Sequence, residues 1–134
     1  MEQEPNATQS TRNDFARWKA AISRMAKYDR VYMKLSGAFS ELMDQPNDAP
    51  MTSDDIVKRM QPWLDHVFVE FGPWRIMFGS DWPVCNVRGP GDSKSWSLWV
   101  ETVDQIMQSR GLSEVEKSRI WHGTASEAYR LNAR

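Results

Sequence analysis

A single cysteine, Cys85, stands in 134 residues. It excludes an internal disulfide and any zinc site built on several thiolates. Histidine is nearly as scarce: His66 and His122 are the only two. Neither has a second His or Cys at metal-ligand spacing, so both read as structural. No charge of one sign prevails, with 17 Lys+Arg against 18 Asp+Glu and a formal net charge of −1. The basic excess of a nucleic-acid or anionic-membrane binder is therefore missing. No run approaches the roughly 18 apolar residues of a membrane span, and residues 1–14 are polar rather than signal-like. There is no glycine-rich phosphate loop and no serine nucleophile elbow. What remains is the expectation of a soluble, cytoplasmic, globular chain with no nucleic-acid or membrane partner.

Large apolar side chains, by contrast, are plentiful: 7 Trp and 8 Met. A chain of this size buries roughly two thirds of its unfolded surface, so several Trp are expected to stay half-exposed. Residues 1–11, MEQEPNATQST, lack periodicity and aromatics and read as a disordered lead-in to one domain over 12–134.

Along that domain the hydrophobic period alternates between helix and strand. Phe15, Trp18, Ile22, Met25 and Ala26 share a helix face, with Thr11 and Asp14 as a loose capping box at its start. Val31 to Ser36 alternates with period two and reads as a strand ended by Gly37, with a loop through Pro50. Thr52 and Asp55 cap a second helix, which Pro62 is expected to break or restart before the stop at Gly72-Pro73. Arg75 to Ser80 is a second strand, followed by a loop over 84–93. Trp96, Trp99, Val100, Val103, Ile106 and Met107 mark a third helix capped by Gly111. Ser113 and Glu116 form a capping box for a fourth, and a last helical segment spans about 125–131. Helices separating two short strands imply a parallel pair, hence an α/β fold with four or five helices and strands at about 31–36 and 75–80. Two strands make an incomplete sheet with open edges, and those edges are expected to favour self-association.

In parallel α/β folds chemistry gathers at the carboxyl ends of strands. Asp81 sits there, followed by Trp82 and Pro83. Its carboxylate can act as a general base or a metal ligand; the alternative is an Asx-type turn that engages the side chain locally. Lys34 and Ser36 share the polar face of the first strand and lead toward the same end. Lys34 could orient a carbonyl or carboxylate there, or else pair with an acid in the interior. Trp82 is the tryptophan placed nearest a ligand, whereas Trp18, Trp63, Trp96 and Trp99 suit helix–sheet packing.

The stretch Val31-Tyr32-Met33-Lys34-Leu35-Ser36-Gly37 and the block Phe78-Gly79-Ser80-Asp81-Trp82-Pro83 resemble the amidohydrolase-related family, in its sugar-lactone and dicarboxylate-lactone hydrolase branch. Trp121-His122-Gly123-Thr124-Ala125 resembles the family's terminal helices. The resemblance covers about residues 13–132. It implies the C-terminal portion of a (β/α)8 TIM barrel, these strands being its seventh and eighth. It also implies hydrolysis of a lactone, with Asp81 activating water and Lys34, Ser36 and Trp82 binding substrate. In metal-dependent members Asp81 would also be a metal ligand, for a divalent ion such as zinc in the full-length relative. The family's His-x-His and mid-barrel histidines have no counterpart in the chain. No metal is therefore expected to bind it stably alone, and the isolated fragment is expected to be inactive. A decarboxylase on the same barrel and a non-catalytic interaction remnant are the alternative readings.

Overall fold

The computed structural model describes residues 9–42, 51–86, 91 and 94–131. They fall into two compact units, one ending at Val31 and the other beginning at Tyr32.

The first unit is helix α1, Gln9–Ala26. It takes in the last three residues of the expected lead-in; residues 1–8 lie outside the described ones. The Thr11–Asp14 box therefore falls inside the helix and not at its cap. The aspartate's reach is short for a capping partner, and Asp14 instead faces Arg17 at 3.6 Å. Phe15 and Trp18 stack with ring centroids 5.7 Å apart.

In the second unit, β1 (Met33–Leu35) and β2 (Ile76–Phe78) pair in parallel, with Lys34 beside Met77. Both strands are shorter than the expected 31–36 and 75–80; ahead of β2, Pro73–Arg75 winds as a 3₁₀ turn. Helices α2 (Ala38–Leu42) and α3 (Ser53–Phe71) connect them. The expected loop after Gly37 thus begins as a helical turn, whose Leu42 carbonyl accepts from Arg59 Nη1 at 2.9 Å; residues 43–50 lie outside the described ones. After β2 come α4 (Ser95–Ser109), α5 (Glu114–Ser118) and α6 (Thr124–Ala128).

Pro62 does not break α3. Lys58, whose carbonyl loses its donor, and Pro62 itself are both exposed, so water can replace the missing bond. The Thr52–Asp55 and Ser113–Glu116 capping boxes both form. Gly111, at φ 64°, closes α4: its N–H donates to Gln108 and the Leu112 N–H to Met107, the paired bonds of a left-handed helix stop. Between α5 and α6, Arg119–Gly123 winds as a π-turn.

The core lies where α3 and α4 pack together beside the strands. Ile56, Leu64, Val67 and Phe71 are buried, as are Trp99, Val103, Ile106 and Met107 and, from the strands, Leu35, Ile76 and Met77. Phe78 meets Trp96 of α4 and Trp121 of the π-turn. Trp63, Trp74, Trp82 and Trp96 remain exposed. Trp63 and Trp96, expected to pack between helix and sheet, are thus half-exposed, although Trp96 still meets Phe78 of β2 edge-on.

At the amino ends of the strands, the Tyr32 hydroxyl donates to Glu127 at 2.9 Å. Arg119 donates to Glu127 at 2.8 Å and to the Trp74 carbonyl at 2.9 Å. The Arg119 guanidinium and the Tyr32 hydroxyl hold the Glu127 carboxyl below its ordinary range, and the Tyr32 phenol, donating to Glu127, is raised. Hydrogen bonds from Thr52 and Ser113 lower Asp55 and Glu116 in the same way. A carboxylate lowered on folding stabilises fully above its unfolded value, about pH 4, and that contribution is lost as pH falls through the folded value. The raised phenol acts in the opposite sense, stabilising below its unfolded value and losing the effect as pH rises past it. Urea unfolding should therefore give a flat stability at neutral pH and a fall below about pH 4. Glu127→Gln should make that acid fall shallower; an unchanged acid slope would show that Glu127 is not anchored in this way.

Candidate functional site

The carboxyl ends of β1 and β2 meet at Gly79. Its N–H donates to the Leu35 carbonyl at 3.1 Å and so extends the ladder one step past β2. In a parallel sheet paired residues share a face, so Gly79 lies beside Ser36 on the face that also carries Lys34 and Met77. A β-carbon on Gly79 would stand 3.0 Å from Ser36 Cβ and 3.1 Å from Lys34 Cε. Glycine is needed here for space: it lets the Lys34 chain and Ser36 lie over the end of β2.

Beyond Gly79 the chain turns through a fixed series of backbone bonds. Ser80 Oγ accepts from the Trp82 N–H at 3.2 Å. The Asp81 carbonyl accepts from Cys85 N–H at 2.8 Å, and the Pro83 carbonyl from Asn86 N–H at 3.0 Å. Val84–Asn86 is a 3₁₀ turn whose Cys85 is buried, so this part of the expected loop is wound; 87–90, 92 and 93 lie outside the described residues. The Trp82–Pro83 bond is cis.

Asp81 itself has φ 57°, a left-handed conformation that costs most side chains but is easiest for Asn and Asp. The Asx turn considered from the sequence does not form among the described residues: the residue two past Asp81 is Pro83, which has no N–H to donate. Among the described residues, no hydrogen bond or ion pair engages the Asp81 carboxylate or the Lys34 ammonium. Asp81 is half-buried, and its Oδ2 would lie 3.9 Å from a β-carbon on Gly37.

The structure thus brings Lys34, Ser36 and Asp81 to the same strand ends. Trp82 follows Asp81 directly and is 68% exposed. His66 lies 3.9 Å from Glu70 on α3, and His122 Nε2 shares a 2.9 Å hydrogen bond with Ser118; both contacts are within their own helical segments. A hollow of about 350 Å³ lies elsewhere, between α3 and α4, lined by residues including Asp54, Lys58, Leu64 and Arg110. Its walls are tied to one another by the Arg110–Asp65 pair and by Gln105, whose side-chain amide donates to Asp54. The sequence missed Trp99, whose indole Nε1 donates to the Gly79 carbonyl at 2.8 Å. An apolar helix pattern places such a residue in the core but does not reveal which carbonyl it meets.

A family model described as Amidohydrolase matches residues 4–131. Over 116 residues the chain is 36% identical to an L-fucono-1,5-lactonase of Burkholderia multivorans, covering 87% of the chain and 36% of that protein. Over 120 residues it is 32% identical to an L-rhamnono-gamma-lactonase of Scheffersomyces stipitis, covering 88% of the chain and 34% of that protein. A crystal structure of an amidohydrolase from Burkholderia multivorans with bound zinc superposes with a TM-score of 0.68 at 34% identity, over 86% of this chain and 37% of that one. The chain therefore spans about a third of the length of the relatives it matches.

The close approach at Gly79 makes a direct prediction. Gly79→Ala should destabilise the fold by about 1–3 kcal/mol, the range for overpacking. Ser36→Gly, which removes the nearer clash, should recover part of that loss in the double variant. Denaturant unfolding of the four proteins checks this; strictly additive effects would contradict the contact.

Proposed function

The chain belongs to the amidohydrolase family, and we propose that the carboxyl ends of β1 and β2 are part of a lactone-hydrolysing active site. In this reading the two strands are the seventh and eighth of a (β/α)8 barrel, and the other strands supply the rest of the pocket. The observation that carries it is the Asp81 carboxylate: half-buried, held in a left-handed backbone, and unengaged by any described neighbour at a parallel strand end. That is where such folds place reacting groups. The lactonase names of the relatives supply the substrate class.

The chemistry follows from the three side chains. Asp81 accepts a proton from a water molecule whose oxygen attacks the lactone carbonyl carbon, the step a positioned base accelerates by roughly 10²–10⁴-fold. Negative charge then gathers on the carbonyl oxygen. The Lys34 ammonium and the Ser36 hydroxyl stand on the same face to meet that charge or a substrate carboxylate. As the ring C–O bond breaks, the proton on Asp81 passes to the departing ring oxygen. The product is an open hydroxy acid.

Zinc is bound in a structural relative. A catalytic zinc site takes about three protein ligands. Among the described residues no group of three or more His, Cys, Asp or Glu could hold one. The described residues therefore do not make a zinc site by themselves; Asp81 is the ligand this chain would bring to one. Nor does any described helix have the length and apolarity to cross a membrane.

One base and two polar groups fall short of the several loops that position a substrate in such barrels, so the 134 residues alone should not turn over a lactone. Among the described residues each strand has one partner, and the edges left open should let the isolated chain self-associate. A chimera supplies the test: this chain replaces the matching third of the Burkholderia multivorans L-fucono-1,5-lactonase and is assayed on sugar lactones. Activity should be present and should fall at least a hundredfold in Asp81→Asn, a change that suits the same backbone conformation. A folded chimera whose activity ignores Asp81 would overturn the assignment.

A further inference from the structure

We propose that Trp99 is the positioning residue for Asp81, acting through the Gly79 carbonyl. The inference rests on the proposed role of Asp81. It begins from the hydrogen-bond pattern of the sheet. In a regular parallel ladder, a residue whose N–H reaches Leu35 offers its own carbonyl to the N–H two residues further along β1, here Gly37. Gly79 does the first and not the second: its N–H meets Leu35 at 3.1 Å, while its carbonyl is taken by Trp99 Nε1 at 2.8 Å. A side chain of α4 thus replaces the next backbone donor, at the point where the chain leaves the sheet for Asp81.

The indole is well placed to hold that position. Trp99 is 2% exposed, and Phe39 of α2 meets its ring edge-on at 6.0 Å. It is therefore braced by the segment that follows β1 while it grips the segment that follows β2. Two residues past the gripped carbonyl, Asp81 takes its positive φ. On the far side its carbonyl is tied to Cys85 N–H at 2.8 Å, and Cys85 is itself buried. The carboxylate is thereby held between two fixed backbone points while no described residue engages its oxygens. Left-handed backbone at a non-glycine residue persists only where the surroundings over-determine it, and the indole bond is the buried side-chain contact that does so here.

The test compares Trp99→Phe, which keeps an aromatic ring and loses the N–H, with Val103→Ala. The latter loosens the buried face of α4 without touching that bond. Both are read by NMR on the full chain, from the Asp81 carboxyl carbon resonance and from exchange of the Gly79 amide. Trp99→Phe should move the Asp81 resonance and speed Gly79 exchange by about tenfold, the upper range for losing one neutral hydrogen bond. Val103→Ala should lower the melting temperature and leave the Asp81 resonance in place. An unmoved resonance in Trp99→Phe, or an equal movement in both variants, overturns the proposal. Exchange of the Trp99 indole proton in the unaltered protein decides the case where Trp99→Phe fails to fold. It should be at least tenfold slower than that of exposed Trp82, and equal rates would overturn the proposal. None of these readouts needs turnover, so an inactive chimera would sink the hydrolase reading and leave this one standing.

Discussion

The close contact at Gly79 is the constraint on which the rest of the second unit depends. Three-residue strands supply little sheet of their own, and a parallel pair of this length relies on what holds its two ends. At the carboxyl end, the lack of a side chain at Gly79 lets Ser36 and Lys34 cross onto β2, and its two backbone groups are taken by Leu35 and Trp99. One residue therefore sets the register, the spacing and the direction in which the chain departs toward Asp81.

The two ends of the strand pair are held by different chemistry. The amino end is closed by polar side chains that satisfy one another: Tyr32, Glu127, Arg119 and the Trp74 carbonyl, with the guanidinium 5.1 Å from the centre of the Trp74 ring. The π-turn and Gly123 make room for this, since a β-carbon on Gly123 would stand 3.2 Å from Arg119 Cδ. Among the described residues, Arg119 Nε is the buried side-chain polar atom left without a partner. At the carboxyl end, by contrast, no described residue engages the Asp81 carboxylate or the Lys34 ammonium. In the proposed barrel, an anchored amino end and an available carboxyl end would divide stability from chemistry.

Much of this arrangement is readable in the residues. Alternation at 31–36 and the short apolar run within 75–80 locate both strands, and two capping boxes fix where α3 and α5 begin. Phe78-Gly79-Ser80-Asp81 marks the strand end in the residues themselves. What the pattern cannot carry is tertiary. Pro62 sits harmlessly in α3 because its face is exposed, a fact the local sequence does not contain. The Thr11–Asp14 pair has the spacing of a cap but not the position. The π-turn at Arg119 arises from a guanidinium reaching Trp74, 45 residues away. The grip of Trp99 on Gly79 likewise joins positions 20 apart through a backbone carbonyl, to which no side-chain pattern refers.

If the strand ends form the substrate-facing surface, they should report on a ligand even where turnover is absent. The most direct measurement is a residue-resolved NMR titration of the labelled chain with a sugar aldonate, the open hydroxy acid left by lactone hydrolysis. The account predicts shifts concentrated at Lys34, Ser36, Gly37, Gly79 and Asp81. Shifts confined to the α3–α4 hollow around Asp54, Lys58 and Arg110, or none at any of these positions, would contradict it.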